Sequence, residues 1–215
     1  MPESLRPPPR ERVRADVTTA LAEDIGDGDV TARLIRPDTK LQTRVIAREA
    51  AVLCGRPWFD EVFAQLDERI EAKWAANDGT GLEAGQEVCQ LSGPARPLLS
   101  GERAALNFLQ ALSGCATNTR TWCDAIEGTG ARILDTRKTL PGLRHAQKYA
   151  VRCGGAVNHR MGLYDAFLIK ENHIAAAGGI SGAVARAREQ RPELLVEVEV
   201  ETLAQLDEAV QAGAQ

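Results

Sequence analysis

Apolar residues recur at helical spacing near the start of the chain. Val13, Val17, Ala20 and Leu21 within ERVRADVTTALAE predict an amphipathic helix over 11–23. DIGDGDVT then reads as a turn cluster, in which Asp24, Asp27, Asp29 and Thr31 are placed to accept from or bond nearby backbone groups. LQTRVIAREAAVLCG predicts strand, turn and strand, RPWFDEVFAQL an amphipathic helix, RIEAKWAAN a strand, and GLEAGQEVCQLSG a short strand after a glycine-rich turn. This first part is an α+β pattern.

The character changes at Ser100. SGERAALNFLQALSGCATNTRTWCDAIEG predicts one long helix with Ser100 at its cap. From Ala131 strand and helix alternate: ARILDT, then LRHAQKYAVRCG; DAFLIKE, then SGAVARAREQ; LLVEVEVET, then LAQLDEAVQAGA. Such alternation argues for parallel βα units. A complete eight-unit barrel takes about 200 residues or more, and just over a hundred follow Ser100. The expectation is an α/β barrel cut off partway, the alternative a small open α/β sheet.

Composition narrows the partners. Hydrophobic and charged fractions of 44% and 26% are those of an ordinary globular protein, and aromatics at 4% leave little for stacking on nucleic-acid bases. The net charge of −4, without a long basic run, points away from nucleic acid and from anionic membrane surfaces. No stretch approaches the ~18 apolar residues of a membrane span. MPESLRPPPRER lacks the apolar region of a secretory signal and reads as a disordered lead over residues 1–10. Five cysteines (Cys54, Cys89, Cys115, Cys123 and Cys153) show no C-x-x-C pair, which suggests free thiols and a cytoplasmic setting.

The candidate chemistry lies at the strand ends, where parallel α/β folds bind ligands. Arg137 and Lys138 follow ARILDT; Asn158, His159 and Arg160 precede DAFLIK; Lys170 closes it, followed by Glu171, Asn172 and His173. In LLVEVEVET, Glu197, Glu199 and Glu201 alternate with Val196, Val198 and Val200, so the glutamates share one face and the valines the other. Crowded carboxylates call for cations, and Arg137, Lys138, Arg160 and Lys170 supply them. Arg offers a planar fork and Lys a point charge for carboxylate or phosphate. Carboxylates beside them suit Mg²⁺ carried on a phosphate. The residues therefore predict an enzyme of anionic metabolites with a phosphorylated co-substrate. His145 is expected on a helix surface, and neither His159 nor His173 sits in a zinc-like pattern.

GERAALNFLQALSGCAT, ILDTRKTLPGLRHAQKYAVRCGGAVNHRMGLYDAFLIKENHI and VEVEVETLAQLDEA closely resemble quinolinate phosphoribosyltransferases, as does LAEDIGDGDVT; the similarity runs from about residue 11 to 215. The resemblance implies an N-terminal α/β sandwich domain (11–100) followed by an open α/β barrel (101–215), incomplete in this chain. It implies phosphoribosyl transfer from phosphoribosyl pyrophosphate (PRPP) to quinolinate with loss of CO₂, giving nicotinate mononucleotide for NAD synthesis. Mg²⁺ arrives with PRPP, and a homodimer shares its sites. The motifs place Arg137, Lys138, His159, Arg160 and Lys170 around quinolinate or the ribose phosphates, and Arg103 in the partner's site. Lys138 and Glu199 stand as the catalytic pair, with Glu201 as the alternative to Glu199 because it lies nearer the strand end. Family members continue with further strands, an acidic metal-side residue and a glycine-rich phosphate loop, so an incomplete PRPP site is expected here. Two other readings remain: a same-fold relative of the molybdenum-transport-associated kind, and a non-catalytic dicarboxylate-binding protein.

Overall fold

The computed structural model describes residues 5–215. The lead expected over 1–10 lies partly outside the described residues. From Leu5 onward it is placed: Leu5 packs against the core, and Arg152 donates to the Arg6 carbonyl at 2.8 Å. The chain divides into two compact units, Met1–His159 and Arg160–Gln215.

The first unit opens with α1 (Arg10–Ile25), which buries Val13, Val17 and Leu21 at i, i+4 and i+8. After a 3₁₀ turn at Ala32–Leu34 come β1 (Lys40–Ile46), β2 (Ala51–Val52), α2 (Arg56–Leu66), β3 (Glu71–Trp74), β4 (Gly81–Leu82) and β5 (Glu87–Pro94). The segment LQTRVIAREAAVLCG does hold two strands, but they join different sheets: β1-β5-β3 is antiparallel, and β2 pairs with β4. Pro57 lies in the first turn of α2, where a missing N–H costs nothing. Gly55, at φ +119°, precedes the helix, and a Cβ there would stand 3.2 Å from Leu109 Cα.

The long helix α3 runs Ala95–Ala125, starting five residues before the predicted cap at Ser100. Pro97 falls in its first turn, where proline is tolerated, so the real start hides in ARPLL. Ser100 instead donates from within the helix to Asp29 Oδ2 at 2.8 Å. Asp29 also accepts from the Thr31 and Ala32 amides, both at 2.9 Å, and so organises the turn that the sequence assigned to four residues. Helix α4 (Arg144–Gly154) buries Ala146, Tyr149, Ala150 and Cys153 into the same core as Trp58, Phe59 and Phe108. A Cβ on Gly154 would meet Ala116 O at 2.5 Å, so this close approach of α4 to α3 requires glycine.

The strand predicted over ARILDT does not form. One isolated parallel bridge, Leu134 to Val157, stands in its place. Two backbone bonds (Val157 N to Ile133 O, 3.0 Å; Asp135 N to Val157 O, 3.1 Å) hold it. Beyond it, polar side chains claim the backbone.

The second unit contains a parallel pair, β6 (Phe167–Ile169) and β7 (Val196–Val198), with α5 (Glu171–Ala177), α6 (Ile180–Gln190) and α7 (Leu203–Gln211). LLVEVEVET is ladder-bonded over a shorter stretch than expected, yet the alternation holds: Val196 is buried, and Val198 and Val200 pack on the same small core. Helix α5, which hydrophobic period did not predict, follows Lys170 directly. Thr202 caps α7, accepting from Gln205 N at 3.2 Å. No described helix is long and apolar enough to cross a membrane.

Candidate active site

In the first unit the site is built around Asp135. Lys148, from α4, reaches Asp135 Oδ1 at 2.5 Å and the His159 carbonyl at 3.1 Å. Asn158 Nδ2 donates to Asp135 Oδ2 at 2.7 Å and to the Lys148 carbonyl at 2.8 Å. The His159 amide donates to Asp135 Oδ1 at 2.8 Å. One carboxylate thus ties the bridge at Leu134, helix α4 and the Asn158–His159 segment together. Lys148 is 1% exposed, so this is a desolvated ion pair, supported by further hydrogen bonds to both partners.

The loop that carries the cations is shaped by local bonds. Lys138 N–H donates to Thr136 Oγ1 at 3.0 Å, and Thr139 N–H to the Arg137 carbonyl at 3.0 Å, a three-residue turn with Lys138 at its exposed centre. Leu143 N–H returns to Leu140 O across Pro141 and Gly142; Gly142 has φ +81°, the left-handed position that a type II turn reserves for glycine. Arg137 is half-buried, and its Nε is buried with no hydrogen-bond partner among the described residues. A guanidinium N–H left so is costly unless something else accepts from it. Arg103 stands exposed on α3. His145, expected at the surface, is half-buried.

The second unit brings Lys170 and Glu199 together. Ile169 pairs with Val198 in register, and Glu199 N–H extends the ladder to Ile169 O at 2.8 Å. Each residue is therefore the first beyond the carboxyl end of its strand. Their side chains meet at 2.6 Å while still about half exposed (43% and 52%). Lys170 N–H donates to His173 Nδ1 at 3.0 Å, which leaves Nε2 as the nitrogen free to carry the ring proton. Glu201 is exposed, with its amide bonded to Gln205 Oε1 at 2.7 Å. Arg160 reaches the Ala166 carbonyl at 3.4 Å, and Asp165 accepts from the Met161 and Gly162 amides at 2.6 and 3.0 Å.

The sequence singled out Asn158 and the cations Arg137, Lys138, Arg160 and Lys170, but not Asp135 or Lys148, which with Asn158 brace the first unit's loop. The available signal was Lys148 itself, a charge set beside Tyr149 and Ala150 in the apolar part of a helix.

A buried brace and an unpartnered guanidinium nitrogen in the first unit, and a half-exposed lysine at a strand end in the second, are features suited to an anionic small molecule. Similarity narrows the class. The chain belongs to the quinolinate phosphoribosyltransferase family: residues 29–113 match the family's N-terminal domain and residues 115–215 its C-terminal domain. It is 45% identical over 193 residues to a probable carboxylating nicotinate-nucleotide pyrophosphorylase of Bacillus subtilis, covering 89% of this chain and 67% of that one. It is 44% identical over 203 residues to the carboxylating nicotinate-nucleotide pyrophosphorylase of Mycobacterium leprae, covering 92% and 71%. The solved nicotinate-nucleotide pyrophosphorylase of Francisella tularensis superimposes with a TM-score of 0.95 at 45% identity, over 98% of this chain and 75% of that one. The chain spans about two thirds of the length of the curated relatives it matches, at 67%, 65% and 62% for those of Bacillus, Synechocystis and tobacco.

Proposed function

We propose that this chain acts in the transfer of a phosphoribosyl group from PRPP to quinolinate with decarboxylation. The observation that carries the reading is Arg137: a half-buried guanidinium with an unpartnered Nε, on a loop braced through Asp135, is built to receive an anion. Quinolinate has two adjacent carboxylates. Arg137 supplies a fork to one, and Lys138 and His159 carry donors suited to anionic oxygens. The Asp135 network fixes the backbone on either side of these groups, so little ordering remains to be done on binding.

The chemistry asks first for positioning. The pyridine nitrogen attacks C1 of the ribose, the C1–O bond breaks, and pyrophosphate departs with the bonding pair. Positive charge develops at C1 in between. A carboxylate such as Glu199 stabilises that charge, while Lys170 and Arg160 suit phosphate oxygens. In the second stage the carboxylate beside the ring nitrogen leaves as CO₂, its electron pair drawn toward the pyridinium, and the ring carbon takes up a proton. Mg²⁺ enters as part of the PRPP substrate; exposed Glu201 offers the hard oxygen donor that such an ion accepts. Arg103, exposed on α3, serves the partner subunit's site in a homodimer.

The test is calorimetric titration of the chain with quinolinate, followed by PRPP and Mg²⁺ with CO₂ release monitored. Saturable quinolinate binding is expected, weakened in Arg137→Ala. A folded chain that shows no quinolinate binding overturns the reading.

A further inference from the structure

A second cluster of chemically capable groups lies in the core of the first unit. Cys54 follows β2, Asp78 sits in the loop after β3, and Cys153 lies in the last turn of α4. Their Sγ atoms and a carboxylate oxygen all fall within 4.8 Å of one another, and the residues are 0%, 5% and 2% exposed. Three segments distant in sequence converge, which is why no C-x-x-C spacing announced it. We propose that Cys54, Asp78 and Cys153 form a buried binding site for a thiophilic divalent cation of the Zn²⁺ type.

Geometry supports this. Zinc–sulfur bonds near 2.3 Å in a tetrahedron set ligand atoms about 3.7 Å apart, so the three donors have at most about an ångström to close. The carboxylate is oriented as metal-bound carboxylates are, by outer hydrogen bonds. Tyr149 Oη donates to Asp78 Oδ2 at 2.9 Å, and the Arg56 amide to Oδ1 at 3.3 Å.

Charge supports it as well. Two thiolates and a carboxylate carry three negative charges and the cation two positive ones. The Arg56 guanidinium lies near enough to offset part of the negative charge that remains, and its Nε is buried without a partner among the described residues. A bound ion would tie the β2–α2 junction to the end of α4, independently of the reaction proposed above.

The full chain, reduced and stripped with a chelator, is titrated with Co²⁺ and then Zn²⁺. One Co²⁺ per chain is expected, with sulfur-to-cobalt charge-transfer absorption that Zn²⁺ abolishes by displacement. Cys54→Ser and Cys153→Ser lose the band, and Cys123→Ser, outside the cluster, keeps it. Tyr149→Phe, which only removes the outer hydrogen bond, weakens affinity by about 10–100-fold. No charge-transfer band in the wild-type chain overturns the proposal, as does a band that survives in both cysteine variants. If the serine variants fail to fold, the wild-type spectrum and the Tyr149→Phe shift decide it.

Discussion

Lys148 Nζ and Asp135 Oδ1 stand 2.5 Å apart in a pair that is 1% and 7% exposed, and through it helix α4 holds the segment before the cation loop. Removing one partner leaves a buried charge uncompensated. Lys148→Met is expected to destabilise the chain by about 3–5 kcal/mol, because Asp135 then keeps only the Asn158 and His159 N–H donors. The Lys148→Met, Asp135→Leu double variant should recover part of the loss: neither charge is then stranded, although the His159 amide and one Asn158 N–H lose their acceptor. Denaturant unfolding measures both; a loss below about 1 kcal/mol in the single variant would refute the buried-pair account.

Arg137 behaves in the opposite way. Its Nε has no partner among the described residues, so the free protein gains little from the guanidinium. Arg137→Met should leave thermal stability unchanged or slightly raised. The same change should weaken quinolinate binding by roughly 10–100-fold, the loss of a charge-assisted contact worth about 1.5–3 kcal/mol. Unchanged binding in a folded variant would remove Arg137 from the site.

Lys170 and Glu199 separate function from stability in a third way. Their pair is half exposed, and such pairs contribute about 0–1 kcal/mol. Glu199→Gln should therefore melt within a few degrees of the parent. If Glu199 stabilises charge developing at the ribose, turnover falls while quinolinate affinity does not. Equal losses in both would reassign Glu199 to ground-state binding.

The sequence carried the helices well wherever one face was apolar. Val13, Val17, Ala20 and Leu21 marked α1, and LRHAQKYAVRCG, read as a helix, forms α4 over Arg144–Gly154. It failed where backbone partners are chosen by tertiary contacts. ARILDT has strand-like period, but Asp135 takes Lys148, Asn158 and His159, and a single bridge remains. Ser100 has the chemistry of a cap, yet its hydroxyl goes to Asp29, a residue 71 positions earlier. The register of β6 on β7 explains why Lys170 meets Glu199, and no local pattern states a register. Arg137, Lys138 and Lys170 stand out as charges that follow apolar runs, although only Lys170 closes a strand; the Asp135 brace does not stand out, because its lysine lies inside a helix.

Asp67 gives a pH dependence of definite sign. Arg69 donates to it from its backbone amide and Nε at 2.9 Å each and from its terminal nitrogen at 2.6 Å, which lowers the carboxyl from 3.8 to about 2. A depressed carboxylate contributes stability above its unfolded value, and that contribution is lost as pH falls through the folded one. The melting temperatures of wild type and Asp67→Asn should differ at neutral pH and converge between about pH 4 and pH 2. A constant difference across that range would mean that the turn, not the charge, sets the effect.

Two helical glycines should respond to alanine with opposite signs. Gly114, exposed within α3, has nothing within 4 Å of the place an added methyl would take, and its φ is not left-handed. Gly114→Ala should stabilise the chain by about 0.4–1 kcal/mol, by restricting the unfolded state. Gly154 is also free of left-handed strain, but a Cβ there would lie 2.5 Å from Ala116 O and 2.5 Å from Thr119 Cβ. Neither obstacle is a flexible side-chain end, so α4 must move off α3. Gly154→Ala should cost about 1–3 kcal/mol or more. Because α4 also carries Lys148 and Cys153, the shift should disturb the Asp135 brace as well. Equal melting temperatures for the two variants would show that the α3–α4 contact has more freedom than its spacing implies.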